Sequence, residues 1–153
     1  MRRTLGRLLV LACGITAFLA AIPVAQAGTA TNHVVKAVFI SNTVETHGQT
    51  TTDAGIIHEK SLGTGAGLLF VKQGSAADKL DFTAKIWYDA GVQRAAGTVT
   101  FSGHPDGSVS FIGNGHFTGG TRKFAGITGK LKISGAVTPN GLTVTSITGN
   151  ARY

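Results

Sequence analysis

The residues that could carry chemistry are few and lie far apart along the chain. They are, in order, Glu45, Asp81, Trp87, Tyr88, Asp89, His116 and Arg122. Asp89 and His116 are the candidates for a general acid or base, because carboxylates and imidazoles commonly move protons near neutral pH. The alternative for His116 is a surface side chain, which is its favoured explanation. An acid/base isomerase is therefore the weakest of the functions considered.

The most distinctive local pattern is the glycine-rich stretch GNGHFTGGTRKFAGITG at residues 113–129. A dinucleotide cradle needs G-x-G-x-x-G between a strand and a helix. Gly113, Gly115 and Gly119 are spaced one residue too long for it, and no helical pattern follows. The spacing argues against nucleotide chemistry. Turns, bulges and sharp bends at a barrel corner explain these glycines better.

Metal and hydrolase chemistry find no support in the residue spacing. None of the histidines forms the short pairs that zinc sites use; they are His33, His47, His58, His104 and His116. No G-x-S-x-G nucleophile elbow is present. We therefore expect neither a metal nor a cofactor.

The first 27 residues have the features of a secretory signal peptide. Arg2, Arg3 and Arg7 give a positive start, Leu8–Val24 is almost entirely apolar, and residues 25–27 (Ala-Gln-Ala) fit a signal-peptidase site. A retained membrane anchor is the alternative, since the apolar run nearly reaches membrane-spanning length. We predict cleavage after Ala27, a secreted protein and no stable membrane span.

The mature chain, residues 28–153, would contain no cysteine, because Cys13 leaves with the signal peptide. Its fold would then rest on the core alone, without a disulfide. Loss of the three leader arginines leaves eleven basic against seven acidic residues, a net charge of +4. The basic residues are dispersed, whereas nucleic-acid binders usually concentrate them on one face. We expect no nucleic-acid partner.

Short segments with period-two alternation, bounded by glycine, asparagine, aspartate or proline, predict an all-β domain. The clearest segment is Asp78–Tyr88, where apolar and polar residues alternate and must face opposite sides of a strand. Seven or eight such strands indicate a small antiparallel barrel or a sandwich. Residues 42–66 are polar and glycine-spotted, and we interpret them as a long loop with one weak strand near Ile56.

The apolar sides of three predicted strands would line the interior of a barrel. The predicted lumen-lining residues are Leu80, Phe82, Ile86, Tyr88, Val99, Phe101 and Phe111. A barrel of about eight strands leaves room for side chains or for one small ligand.

Residues 119–129, GGTRKFAGITG, resemble the G-G-T-G-x-F-x-x-A-x-G stretch of the allene oxide cyclase and dirigent protein barrels. The departure is Arg122, which stands where the family usually has a glycine. A side chain in a left-handed turn there would cost about 1 kcal/mol, or the turn must differ. The resemblance implies an eight-stranded antiparallel barrel with a hydrophobic cavity. It also implies cyclisation of an unsaturated epoxide or steering of phenoxy-radical coupling, and assembly into homo-oligomers. It assigns no role to Asn42 or Glu45, because the local pattern does not match.

These observations lead to two hypotheses of different classes. The first is a secreted barrel that binds a small apolar molecule in its lumen and guides its cyclisation or coupling if it is an enzyme at all. The second is a non-enzymatic extracellular structural or interaction protein with a filled core. A lumen filled with side chains and closed at both ends would exclude the first.

Overall fold

The structure is a computed structural model that describes residues 30–153. Its strands form a closed, eight-stranded antiparallel barrel in chain order, in which each strand pairs with the next and the last pairs with the first. The strands are β1 (Asn32–His47), β2 (Thr50–Glu59), β3 (Gly63–Gln73), β4 (Lys79–Tyr88), β5 (Gly91–Gly103), β6 (Val109–Gly120), β7 (Lys130–Val137) and β8 (Leu142–Arg152). The all-β, eight-stranded antiparallel barrel expected from the sequence is confirmed, and the sandwich is excluded.

The predicted signal peptide, residues 1–27, lies outside the described residues. Within residues 30–153, no helix is both long enough and apolar enough to cross a bilayer. One short 3₁₀ turn, Arg122–Phe124, lies between β6 and β7.

β4 shows how the alternating pattern builds the interior. Phe82 and Tyr88 are buried, whereas Thr83, between them in the alternation, is exposed. The same two-residue period on every strand gives one apolar core inside the barrel. The buried apolar residues of this core are Val35, Ala37, Phe39, Ile57, Phe82, Tyr88, Ala95, Val99, Phe117, Phe124, Ile127, Leu131, Ile133 and Ala151.

The loop predicted at residues 42–66 is wrong, because strands occupy most of this segment. β1 continues to His47 through a bulge near Thr43, β2 fills Thr50–Glu59, and β3 begins at Gly63. Residues 42–66 have the polar composition of a loop because the inner positions at this end of the barrel carry hydroxyl and carboxyl groups instead of apolar side chains. Gly55 is also required within β2, since a Cβ there would lie 2.1 Å from the Ile40 carbonyl oxygen of β1.

Gly113 and Gly115 lie inside β6 and serve strand packing, whereas the sequence predicted turns, bulges and sharp bends for this stretch. Gly115 pairs with Gly97 on β5. A Cβ on Gly113 would lie 2.1 Å from the Thr98 carbonyl oxygen, and one on Gly115 would lie 3.0 Å from the Phe82 ring. These positions therefore allow β5 and β6 to approach closely, with the Phe82 ring packed against them.

Candidate functional site

The barrel encloses a cavity of about 270 Å³ whose walls are mostly apolar. A dry apolar cavity of about 150 Å³ is large enough for benzene, so this one has room for a molecule of roughly two rings. Six of the seven residues predicted to line the lumen do so: Leu80, Phe82, Ile86, Val99, Phe101 and Phe111. The seventh, Tyr88, is buried at one end of the barrel, outside the cavity wall.

That end, where β4, β6 and β8 terminate, is closed by the segment after β6. Phe124 is fully buried, and its ring packs against Tyr88 with a centroid distance of 6.1 Å and edge-on against Tyr153 at 5.0 Å. Backbone hydrogen bonds attach the segment to β5 and to the turn before it: the Thr121 N–H donates to the Val92 carbonyl and the Lys123 N–H to the Ala90 carbonyl. The part of the glycine-rich stretch that follows β6, residues 121–129, is therefore the plug of the barrel.

Arg122 adopts the left-handed conformation that the motif glycine would favour, with φ of 53°. A side chain in this left-handed conformation costs about 1 kcal/mol. The Arg122 side chain is exposed on the outside of the plug. Its guanidinium therefore takes no part in the cavity.

The opposite end, where β3, β5 and β7 terminate, is less well covered. The apolar side chains that line the cavity there are only half-buried: Val71, Leu80, Phe101, Val109, Phe111 and Val137. Thr43, which also lines the cavity, is exposed. These exposures make this end the route by which a small molecule could reach the interior.

A buried carboxylate stands at the closed end of the cavity. Glu59, only 6% exposed, accepts hydrogen bonds from the Tyr88 hydroxyl at 3.0 Å and the Ser61 hydroxyl at 2.9 Å. Burial, with the negative charge of Glu59 as a second cause, raises the pKa of Tyr88 well above its ordinary value. The phenol therefore remains protonated and serves as a donor to the carboxylate.

A second carboxylate lies towards the open end. Asp53 is 7% exposed and accepts a hydrogen bond from the Thr43 hydroxyl at 2.8 Å. Gln93, also buried, lines the cavity from the start of β5. The cavity thus combines an apolar body with a small number of polar groups, the usual composition of small-molecule sites.

The buried hydroxyl of Thr145, which lines the cavity, has no hydrogen-bond partner within residues 30–153. The buried hydroxyl of Ser41 on the neighbouring strand is likewise unpartnered within that range. Buried polar groups in folded proteins nearly always have partners. The Thr145 hydroxyl is thus available to a bound molecule or an ordered water.

The acid/base candidates from the sequence lie outside the cavity. Asp89 is exposed in the turn between β4 and β5, and His116 is exposed on the outer face of β6. Asp81 accepts a hydrogen bond from Thr98 at 2.9 Å on the outer surface. The structure does not bring these residues together.

Other candidates also belong to the exterior. Glu45 is exposed near the end of β1. The Lys85 ammonium lies 4.8 Å from the centre of the Trp87 ring, so the two form an outward cation–π pair. No cluster of His, Cys, Asp and Glu that could hold a metal occurs within residues 30–153.

Sequence reasoning missed the polar residues that do face the cavity. Glu59 and Asp53 share one face of β2 because their sequence positions differ by an even number. Alternation through Asp53, Gly55, Ile57 and Glu59 was the available signal. Polar residues at both ends of this series concealed it, since inner positions are expected to be apolar.

Fold and site together define the class: a closed, eight-stranded antiparallel barrel with a largely apolar cavity, plugged at one end. No protein-family model, no characterised protein and no solved structure matches the chain.

Proposed function

We propose that this protein is a secreted barrel that binds a small, largely apolar molecule in its central cavity. The single observation that carries the proposal is the cavity of about 270 Å³, lined by apolar side chains from all eight strands. A filled core would leave no such space. Burying the apolar surface of a ligand there would contribute about 25 cal/mol for each Å² removed from water.

Cyclisation or coupling of the bound molecule is the activity suggested by the resemblance of residues 119–129 to the allene oxide cyclase and dirigent barrels. Common membership of that superfamily is part of the same proposal. Among residues 30–153, Asp53 and Glu59 are the ionisable side chains that line the cavity. Any proton transfer inside the barrel would therefore involve one of these carboxylates.

Native mass spectrometry of the protein from culture supernatant tests the proposal. We expect a chain that begins at Gly28 and a co-purifying molecule of a few hundred daltons that is lost on unfolding. A chain that retains residues 1–27 would contradict secretion by signal cleavage. Failure to take up any compound from a mixed lipid and phenolic extract would contradict cavity binding.

A second candidate function, that of an interaction protein, is favoured by an apolar patch on the outer face. Ile40 of β1 pairs with Ile56 of β2 on one side and with Val144 of β8 on the other. These three side chains are 41%, 53% and 39% exposed. Contiguous exposed apolar surface often marks an interaction site, and a second copy of the chain is the partner that we propose.

Sedimentation over a range of concentrations tests this second candidate. We expect the wild-type protein to sediment as an oligomer, and Ile40→Lys should lower its average mass to that of the monomer. Ile112→Lys, at an exposed apolar position of β6, is the matched control and should leave the mass unchanged. A wild-type protein that stays monomeric at high concentration would refute it.

A further inference from the structure

The ionisable groups that line the cavity all carry the same sign of charge. Among residues 30–153, the lining includes Asp53 and Glu59 but no lysine, arginine or histidine. The mature chain as a whole is basic, with eleven basic against seven acidic residues, a net charge of +4. The interior is thus opposite in character to the surface, and its low dielectric increases the effect of each charge on a ligand.

Glu59 has unused hydrogen-bonding capacity. Each of its two oxygens accepts one bond, from Tyr88 and Ser61, whereas a carboxylate offers about four acceptor positions. Both donors are neutral hydroxyls, and within residues 30–153 no basic side chain forms an ion pair with Glu59. A buried carboxylate without a cationic partner is costly, and a cation bound beside it would offset that cost.

The position of Glu59 strengthens this argument. Glu59 is the last residue of β2 and lies at the plugged end of the barrel, where it accepts the hydrogen bond from Tyr88. The Phe124 ring packs against Tyr88. Glu59 is 6% exposed, less than the half-buried residues of the open end, and it also borders a second pocket, which is lined by Lys36, His58 and Lys60 among others. Gln93, at the same end, adds an amide oxygen that can accept a hydrogen bond.

We propose that the ligand of this barrel is an apolar molecule with a protonated amine, which pairs with Glu59 at the plugged end while the apolar body fills the cavity. This inference rests on the proposed binding function. It also excludes fatty acids and other apolar carboxylates as preferred ligands, because their charge would be buried against Glu59 and Asp53.

Titration calorimetry with three naphthalene probes of the same size tests the inference on the wild-type protein. The probes are 1-naphthylmethylamine, 1-naphthalenemethanol and 1-naphthoate. We expect the amine to bind about 10- to 100-fold more tightly than the alcohol, because its bond to the carboxylate is charge-assisted. We expect the naphthoate to bind most weakly.

Glu59→Gln identifies the group responsible. This substitution should remove most of the preference for the amine and change the affinity for the alcohol about twofold or less. Glu45→Gln, the same change at an exposed position of β1, should leave both affinities as they are in the wild type. The preference of the wild-type protein tests the inference even if Glu59→Gln does not fold.

The outcomes separate the inference from the function on which it rests. If the alcohol binds as tightly as the amine, or the naphthoate binds best, the inference is overturned while cavity binding stands. An amine preference that Glu59→Gln leaves intact also overturns the assignment to Glu59. If none of the three probes binds, the proposed function fails and the inference fails with it.

Discussion

The two ends of the barrel are built from similar residue types but differ in how completely they are covered. At the plugged end, Phe124, Ile127 and Tyr88 are all buried, and Phe124 has no exposed surface. At the open end, Phe101, Phe111 and Leu80 face the same interior but remain half-buried. The difference arises from one connection. The segment between β6 and β7 folds over the plugged end, whereas at the open end each strand is followed by a short turn.

The two ends of the core therefore differ in what they contribute. The plugged end contributes more to stability, because it removes more apolar surface from water and orders Glu59 through Tyr88. The open end leaves apolar surface uncovered, which lowers stability but gives access to the cavity. Substitutions at the two ends should therefore have unequal effects.

The largest expected effect is that of Phe124→Ala at the plugged end. Removing a fully buried phenyl ring should lower the free energy of unfolding by about 3–5 kcal/mol. Phe101→Ala removes the same group from a half-buried site at the open end and should cost about 1–2 kcal/mol. Urea unfolding of both variants gives the comparison. Equal losses would show that the two ends are equally well packed.

The second effect concerns the hydrogen bond beneath the plug. Tyr88→Phe removes a donor to the buried Glu59 and should cost about 1–3 kcal/mol near neutral pH. Equilibrium unfolding at pH 7 measures this cost. A loss close to zero would mean that the Glu59 carboxylate finds another donor when the phenol is absent.

The same phenol should make the protein less stable at alkaline pH. Because the folded pKa of Tyr88 is raised, its contribution is complete below the ordinary value of 10.0. Above that pH the unfolded phenol ionises while the folded one stays protonated. The free energy of unfolding should therefore fall by up to about 1.4 kcal/mol per pH unit. Tyr88→Phe should show a shallower decline, and a decline as steep as in the wild type would contradict this account.

The smallest effects are expected from two left-handed positions in the plug. Arg122→Gly should stabilise the protein by up to about 1 kcal/mol, since glycine adopts the observed φ of 53° without steric cost. Gly126→Ala, at φ of 73° with open space around the added Cβ, should destabilise it by about 1 kcal/mol. In thermal unfolding, the two substitutions should shift the melting temperature in opposite directions. Shifts of the same sign would show that backbone conformation is not the deciding factor.

The parts of the fold that the sequence predicted are those in which local pattern and burial coincide. The alternation in Asp78–Tyr88 indicated a strand with one apolar face, and β4 has that arrangement. The turn conformations expected in the glycine-rich stretch occur at Gly126 and Gly129, which have positive φ, whereas Gly113 and Gly115 lie inside β6 and pack against β5. At Arg122 the sequence left two alternatives, a left-handed side chain or a different turn, and the structure has the first, with φ of 53°.

The predictions from the sequence were wrong or incomplete where polar side chains face the interior of the barrel. The inner positions of β1 and β2 near the open end carry Thr43, Thr51 and Asp53, so the segment has the composition of a loop. Glu59 escaped notice because its partner Tyr88 lies 29 residues away in the sequence. Cross-strand partners depend on the register of the closed barrel, which local patterns do not encode.

The most direct test of the central claim compares two neighbouring residues of β4. Ala84 lines the cavity and Thr83 is exposed on the outer face. Ala84→Phe should fill the cavity and weaken binding of 1-naphthalenemethanol by at least about tenfold, a loss of about 1.4 kcal/mol. Thr83→Phe should leave the affinity within about twofold of the wild type. Equal affinities for both variants would show that the molecule binds elsewhere and would contradict a binding function for the barrel interior.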